Sequence, residues 1–278
     1  MLKHVSRFDY TAFAWLLPLE IHAIITDYCK TGIEPAYYKY ATTRPVDSSI
    51  TNIDFDNNGE LMMSTKTTWH GLDFEKPIVA IKQDCANYYV VQMQNIVVVL
   101  RPDFSVHSRI EVVFYDMAFY DMALFHSCQK AVYIDKLNNL AEFDYINNHT
   151  NTYATINDPS RAALLYCMIA CQRSGNMVTM VNNDALQLIS SEYKHILSRF
   201  CGVNISWIGV DIWDQIIAAQ YNRLNVFSPD LKTQLLAYDF HYSHSCWISC
   251  SGAINMHDGT LCFLDTNNHH IVEYKNLR

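Results

Sequence analysis

Two stretches of this chain repeat each other without a gap. When residues 78–104 are laid on 205–231, an offset of 127, seven of 27 positions are identical. The pairs are Ile78/Ile205, Ile81/Ile208, Asp84/Asp211, Asn95/Asn222, Val99/Val226, Pro102/Pro229 and Asp103/Asp230. Ordinary residue usage would give roughly two. A unit this short cannot bury both of its faces alone, so a chain built from such units has to stack them. A third copy, offset by 34 from the first, places Tyr115, Ala118, Asp121, residues 123–125 and residues 131–134 on the same frame. A fourth, looser copy runs from Tyr238 through His244 and residues 246–248 to residues 261–264.

The shared frame is an apolar residue, a polar one six positions later (Asn87, Asp121, Asp214, His244), a short apolar strand, a polar turn and a second apolar strand. A weaker version occupies 161–181, and 52–64, with its turn Asn57-Asn58-Gly59, supplies one more hairpin. Second-strand starts fall near Leu61, Ile96, Ala131, Met177, Leu224 and Leu261, about 35 to 47 residues apart. That is the period of a four-stranded propeller blade. From residue 50 onward, short β-branched and aromatic runs alternate with Asn, Asp, Gly, Ser and Pro, which is an all-β texture. Residues 12–29 differ. There Leu16, Leu17, Leu19, Ile21, Ala23, Ile24, Ile25 and Tyr28 recur at helical spacing, and Gly32 and Pro35 follow as stops. Weaker helical periodicity shows at 160–171 and 184–199. The expectation is an all-β protein: a β-propeller of about six or seven blades over 50–278, preceded by a short N-terminal α-helix and connector in 1–49. The sequence before 50 is available as a closing strand.

Composition narrows the function classes. Half of the 278 residues are hydrophobic and 17% are charged, so a buried core is assured and a disordered or coiled-coil chain is excluded. The net charge of −8, with no Lys/Arg cluster, argues against a nucleic-acid partner. No apolar run reaches the length of a membrane span, and the N-terminus lacks the cleavage site of a signal peptide. Nine cysteines, none in a C-x-x-C pair, read as reduced core thiols. A cytoplasmic or nuclear location follows as the expectation.

Several segments resemble known families. Asp121-Met-Ala-Leu-Phe followed by Ala131-Val-Tyr-Ile resembles the repeat of the regulator-of-chromosome-condensation propellers, whose glycines are here replaced by Asp84, Ala118 and Asp211. Phe227-Ser228-Pro229-Asp230 resembles a turn of WD repeats, although no Trp-Asp dipeptide closes a blade. Leu17-Pro18-Leu19-Glu20-Ile21, continuing to Ile25 and Tyr28, resembles the opening of an F-box. That likeness implies docking on a Skp-type adaptor of a cullin ubiquitin ligase, with Leu17, Pro18, Glu20, Ile21, Ile25 and Tyr28 facing the partner. The F-box likeness stops there, because 30–49 contains neither its later helix nor its closing Trp.

Chemistry-bearing motifs are sparse. His241, His244, Cys246 and Cys250 have donors for zinc but the wrong knuckle spacing, and Cys167/Cys171 is weaker. Asp54/Asp56 and Asp116/Asp121 have nothing to fix them as an acid–base pair. His269-His270 reads as a solvated loop. No P-loop, G-x-S-x-G or H-E-x-x-H is present, so neither cofactor nor metal is expected. Trp69 is the candidate loop-tip anchor for a partner, whereas Trp207, Trp213 and Trp247 read as core between blades. The resulting expectation is a non-enzymatic protein-interaction scaffold or adaptor. The alternatives are an F-box-like substrate receptor and, by family likeness alone, a guanine-nucleotide exchange factor for a small GTPase.

Overall fold

The computed structural model describes residues 38–93, 95–111, 122–125, 129–134, 139–155, 169–181, 184–201, 205–220, 223–239 and 251–276. The described part opens with β1 (Tyr38–Pro45) and the hairpin β2 (Ile50–Phe55) and β3 (Leu61–Thr65). Two short strands, β4 (Thr68–Trp69) and β5 (Leu72–Asp73), follow and, among the described residues, pair only with each other. Four antiparallel four-stranded sheets then succeed one another. Blade 1 is β6 (Ile78–Gln83), β7 (Tyr89–Met93), β8 (Ile96–Leu100) and β9 (Val106–Glu111). Blade 2 is β10 (Met122–Leu124), β11 (Lys130–Ile134), β12 (Asn139–Asp144) and β13 (His149–Thr155). Blade 3 is β14 (Ile169–Cys171), β15 (Met177–Val181), β16 (Ala185–Ile189) and β17 (His195–Phe200). Blade 4 is β18 (Ile205–Val210), β19 (Ile216–Gln220), β20 (Arg223–Phe227) and β21 (Gln234–Asp239). Blade 5 is β22 (Gly252–Ile254), β23 (Leu261–Asp265) and β24 (His270–Asn276), with β1 as its fourth strand.

First strands touch in the order β22, β2, β6, β10, β14, β18 and back to β22, so the sheets form a closed ring. The described ends of the ring are joined by β1 on β24, Tyr38 facing Asn276 and Pro45 facing His270. The core consists of the layers between neighbours. Val90, Val97 and Val99 of blade 1 meet Met122, Ala131 and Phe143 of blade 2. Val132 and Leu140 of blade 2 meet Ile169, Met177 and Ile189 of blade 3. Blades 3, 4 and 5 share one continuous cluster around Ile216, Leu224 and Phe263. Trp207 lies in it, edge-on to Phe263 at 5.3 Å. A Cβ on Gly252 would sit 2.8 Å from the Trp207 ring, so that indole needs a glycine opposite it. The hairpin is packed on both sides, by Ile53 against Ala253, Cys262 and Leu264 of blade 5 and by Met62 with the blade 1 cluster.

The turn from first to second strand recurs around the ring. Asp84 Oδ1 accepts the N–H groups of Ala86 and Tyr88 at 2.9 and 2.7 Å, and Asn87 takes φ 65°. Asp211 Oδ1 accepts those of Trp213 and Gln215 at 2.9 and 2.8 Å, and Asp214 takes φ 61°. Asp56 does the same for Asn58 and Glu60, with Gly59 at φ 78°. A short acceptor at the first position and a residue tolerant of the left-handed region close each turn. Asn87 and Asp214 are the frame's polar residues.

One sequence expectation is corrected: among the described residues the ring has five four-stranded blades, not six or seven. Those residues contain no helix, and the expected N-terminal helix falls on 12–29, outside them. The count differs because the sequence frame mixes two kinds of hairpin. Leu61, Ala131, Met177 and Leu261 lie at the starts of second strands, whereas Ile96 and Leu224 lie at the starts of third strands. The copy at offset 34 is therefore one strand out of register, since it lays β10 on β7. In addition, 66–77 follows β3 with Lys, Thr, Asp, Glu and Pro where an apolar third strand would be needed. The helical reading of 184–199 fails too: Leu186, Leu188 and Ile189 are buried in β16, and β17 pairs alongside. Tyr115, Ala118, Asp121 and the segment 12–29 lie outside the described residues.

Candidate interaction surface on the rim

Seven large hydrophobic side chains are exposed among the described residues: Tyr40, Met63, Val106, Ile146, Tyr153, Ile196 and Phe200. Four of these belong to the outer halves of blades 2 and 3. Ile146 sits in the β12–β13 turn and Tyr153 on β13, while Ile196 and Phe200 lie on β17, Phe200 being 69% exposed. Outer strands carry unpaired backbone groups on one edge, so apolar side chains there are costly to leave bare. On β17 the exposed residues include Ile196, Ser198 and Phe200 on one side of the pleat, whereas Leu197 and Arg199 are half-buried. Arg199 reaches toward blade 4, donating to the carbonyl of Leu231 at 3.1 Å and to that of Lys232, with Phe227 beneath it.

The seam under this patch is stacked and hydrogen-bonded. Tyr193, in the β16–β17 turn at φ 62°, stacks on Tyr153 with centroids 3.5 Å apart and planes 7° from parallel. Its hydroxyl donates to Oε2 of Glu142, and Lys130 Nζ reaches Oε1 of the same carboxylate at 2.8 Å. Burial and the adjacent carboxylate push the Tyr193 phenol well above its ordinary value, so it stays a donor at every physiological pH. The bulky left-handed residue is a repeated device. Phe104 and Leu231 occupy the same place in blades 1 and 4, at φ 63° and 60°, and each turns its side chain inward. Buried carboxylates lock other seams: Tyr145 of blade 2 donates to Asp84 of blade 1, and Tyr38 of β1 donates to Asp211 of blade 4 at 3.4 Å.

The structure distributes the sequence candidates widely. Trp69 is 2% exposed, wedged against Tyr89 and Phe104 of blade 1 at 4.9 and 5.6 Å, so it anchors the corner after β3 and offers no face to a partner. Trp207 is core and Trp213 is half-buried. Leu17, Pro18, Glu20, Ile21, Ile25, Tyr28, Trp247, His241, His244, Cys246, Cys250, Cys167, Asp116 and Asp121 lie outside the described residues. Asp56 is consumed by its turn. Asp54 pairs with Lys82 at 3.4 Å, and desolvation raises its carboxyl pKa while Lys82 pulls it down. His269 takes the left-handed position at the end of the β23–β24 turn, φ 56°, and His270 begins β24. No group of three or more metal-ligating side chains converges among the described residues. No described helix is long and apolar enough to cross a membrane. Ile196 escapes a sequence reading because 184–199 also satisfies helical spacing, and Phe200 directly follows that segment; the alternation within 195–200 is the signal that points to both.

No family model matches the sequence. No curated protein matches it either. Solved structures do. The β-propeller domain of Cps50 (Swd1) from Myceliophteria thermophila aligns with a TM-score of 0.55 at 10% identity, over 86% of this chain and 99% of that one. The WD40 β-propeller domain of Doa1 aligns at 0.58 and 9% identity, over 81% and 78%. Raptor of Chaetomium thermophilum aligns at 0.58 and 11% identity, over 86% of this chain but only 24% of that one. At these identities the likeness establishes the fold: a β-propeller similar to those of WD40 proteins.

Proposed function

We propose that the chain is a non-enzymatic protein-interaction scaffold, and that the rim of blades 2 and 3 is one of its contact surfaces. The carrying observation is the collection of Ile146, Tyr153, Ile196 and Phe200 on neighbouring outer edges over a seam fixed by Tyr193 and Glu142. Tyr153, already stacked on Tyr193, loses little entropy when it docks, and Ile146, Ile196 and Phe200 bring apolar area to bury. The partner implied is a protein offering an apolar patch. Similarity to WD40 propellers supports a platform, although a fold hosts many functions and the site must carry the argument. The Skp-type adaptor and the exchange-factor alternatives rest on sequence likeness, and none of the described residues favours them.

The test compares partners co-purified with the tagged wild-type chain and with Phe200→Asp/Ile196→Asp. Both positions are exposed, so the melting temperature should hold while at least one stoichiometric partner is lost. An unchanged partner set removes the rim from the account, and turnover of a small molecule by the pure protein ends the scaffold reading.

A further inference from the structure

Every second strand of a blade (β7, β11, β15, β19 and β23) is flanked by an antiparallel third strand, and each of those third strands is followed by a fourth. Strand β3 occupies the same place beside β2, yet has no third strand among the described residues. The chain leaves it after Thr65, whose hydroxyl accepts the Thr68 N–H at 2.9 Å, and Trp69 draws the corner onto blade 1. Among the described residues, two strand positions are therefore empty, a recess of about 10 Å at 4.7–4.9 Å per strand. Its floor is the β3 edge, on which no described strand pairs. Met63, in the middle of β3, is 42% exposed. The two ends of the strand carry opposite charges: Glu60 precedes it, Lys66 follows it, both are exposed, and neither enters an ion pair with a described residue.

We propose that the open edge of β3 captures an extended segment of a partner protein. The segment runs antiparallel to β3, with an acidic residue at its N-terminal end beside Lys66, apolar residues opposite Met63 and Met62, and a basic residue at its C-terminal end beside Glu60. The polarity follows from the antiparallel register, in which the partner meets Thr65 first and Leu61 last. The apolar requirement follows from what fills the same place in blade 1, where Ile96–Leu100 is buried throughout. Backbone pairing supplies affinity in this mode, and side chains supply choice. A second copy of the chain is the competing occupant, and the dependence of β3 protection on protein concentration separates the two. The site is separate from the rim of blades 2 and 3, so Phe200→Asp leaves it intact.

The experiment measures residue-resolved amide hydrogen exchange of the full chain with a synthetic heptapeptide, Glu-Thr-Thr-Val-Val-Val-Lys, capped at both ends and used at millimolar concentration. Alternate amides of β3 should slow at least about tenfold as they gain partners. The charge-reversed peptide, Lys-Thr-Thr-Val-Val-Val-Glu, should bind about fivefold more weakly, a contrast of the size exposed charge pairs provide. The double variant Glu60→Lys/Lys66→Glu, with unchanged melting temperature, should invert that preference. The proposal is overturned if neither peptide slows β3, if both bind equally well in both proteins, or if β3 becomes protected with rising protein concentration and no peptide, which would identify a second copy as the occupant.

Discussion

Blade 1 and the hairpin before it begin alike and end differently. Asp84 and Asp56 each fold the first turn by accepting two backbone N–H groups, and a left-handed residue, Asn87 or Gly59, completes it. After β7, Asn95 takes φ 64° and sends the chain back as Ile96–Leu100, all five residues buried. After β3 the chain meets Lys66-Thr67-Thr68, and the Thr65 hydroxyl knits a corner with the backbone of Thr67 and Thr68 and the hydroxyl of Thr68. A blade is thus made four-stranded by the apolar strand after its second turn, and the first hairpin is only its seed. The hairpin keeps its place because its neighbours hold it: Asn57 bonds Gln83 and Asn87 of blade 1, and Asn255 and His257 of blade 5 bond Gly59 and Asn57.

The largest test of that contrast removes the anchor of the corner. Trp69→Ala should cost about 3–5 kcal/mol in urea denaturation, as for other fully buried indoles. A loss below about 1 kcal/mol would mean the corner is not fastened to blade 1 through this ring. Next, Asp84→Ala and Asp211→Ala should each cost about 2–3 kcal/mol, because two turn N–H groups and a phenol lose a buried acceptor at each site. Asp56→Ala, in a half-exposed turn, should cost about 1 kcal/mol; equal losses at all three sites would show that the hairpin turn is held as firmly as the blade turns.

A smaller effect concerns Cys262, in the layer between blade 5 and the hairpin. Burial first, then Glu273 and Asp258, push its thiol up to about 12, whereas the unfolded chain ionises near 9.0. The neutral thiol is the form the fold favours, so stability from this group is complete below about pH 9 and is lost as pH rises toward 12. Relative to Cys262→Ala, the wild type should lose about 1–2 kcal/mol between about pH 8 and 10.5; parallel pH profiles would contradict that burial. The exposed Cys85 should react with a thiol reagent well before Cys262. Smallest of all, Phe200→Asp should change stability by less than about 0.5 kcal/mol, and a larger loss would mean that β17 is covered.

How much of the fold is legible in the sequence depends on how each segment solves its packing. Blades 1 and 4 are readable because both use Asp in the first turn and Pro-Asp in the last, so Asp84/Asp211 and Pro102/Pro229 align. Blade 3 uses Gln172 and Gly175 in its first turn and Ser190 and Tyr193 in its last, which hides it from an identity count. Strand β1 reads as a connector because six of its eight residues are exposed, leaving no apolar alternation to detect. Trp69 is misplaced by sequence for a related reason: no local pattern reports that a loop tryptophan is folded back onto the next blade. The rim residues Ile196 and Phe200 have spacings that satisfy a helix and a strand equally, and only the pairing of β17 with β16 decides between them.

The contrast between β3 and β7 is the centre of this account, and residue-resolved hydrogen exchange of the chain alone reads it directly. Amides throughout β7, paired on both edges by β6 and β8, should exchange slowly at both alternations. In β3, every second amide should exchange at least about a hundredfold faster than its neighbours, because among the described residues only the edge facing β2 is paired with another strand. Uniform protection along β3, equal to that of β7, would contradict the open edge and with it the five-blade ring described above.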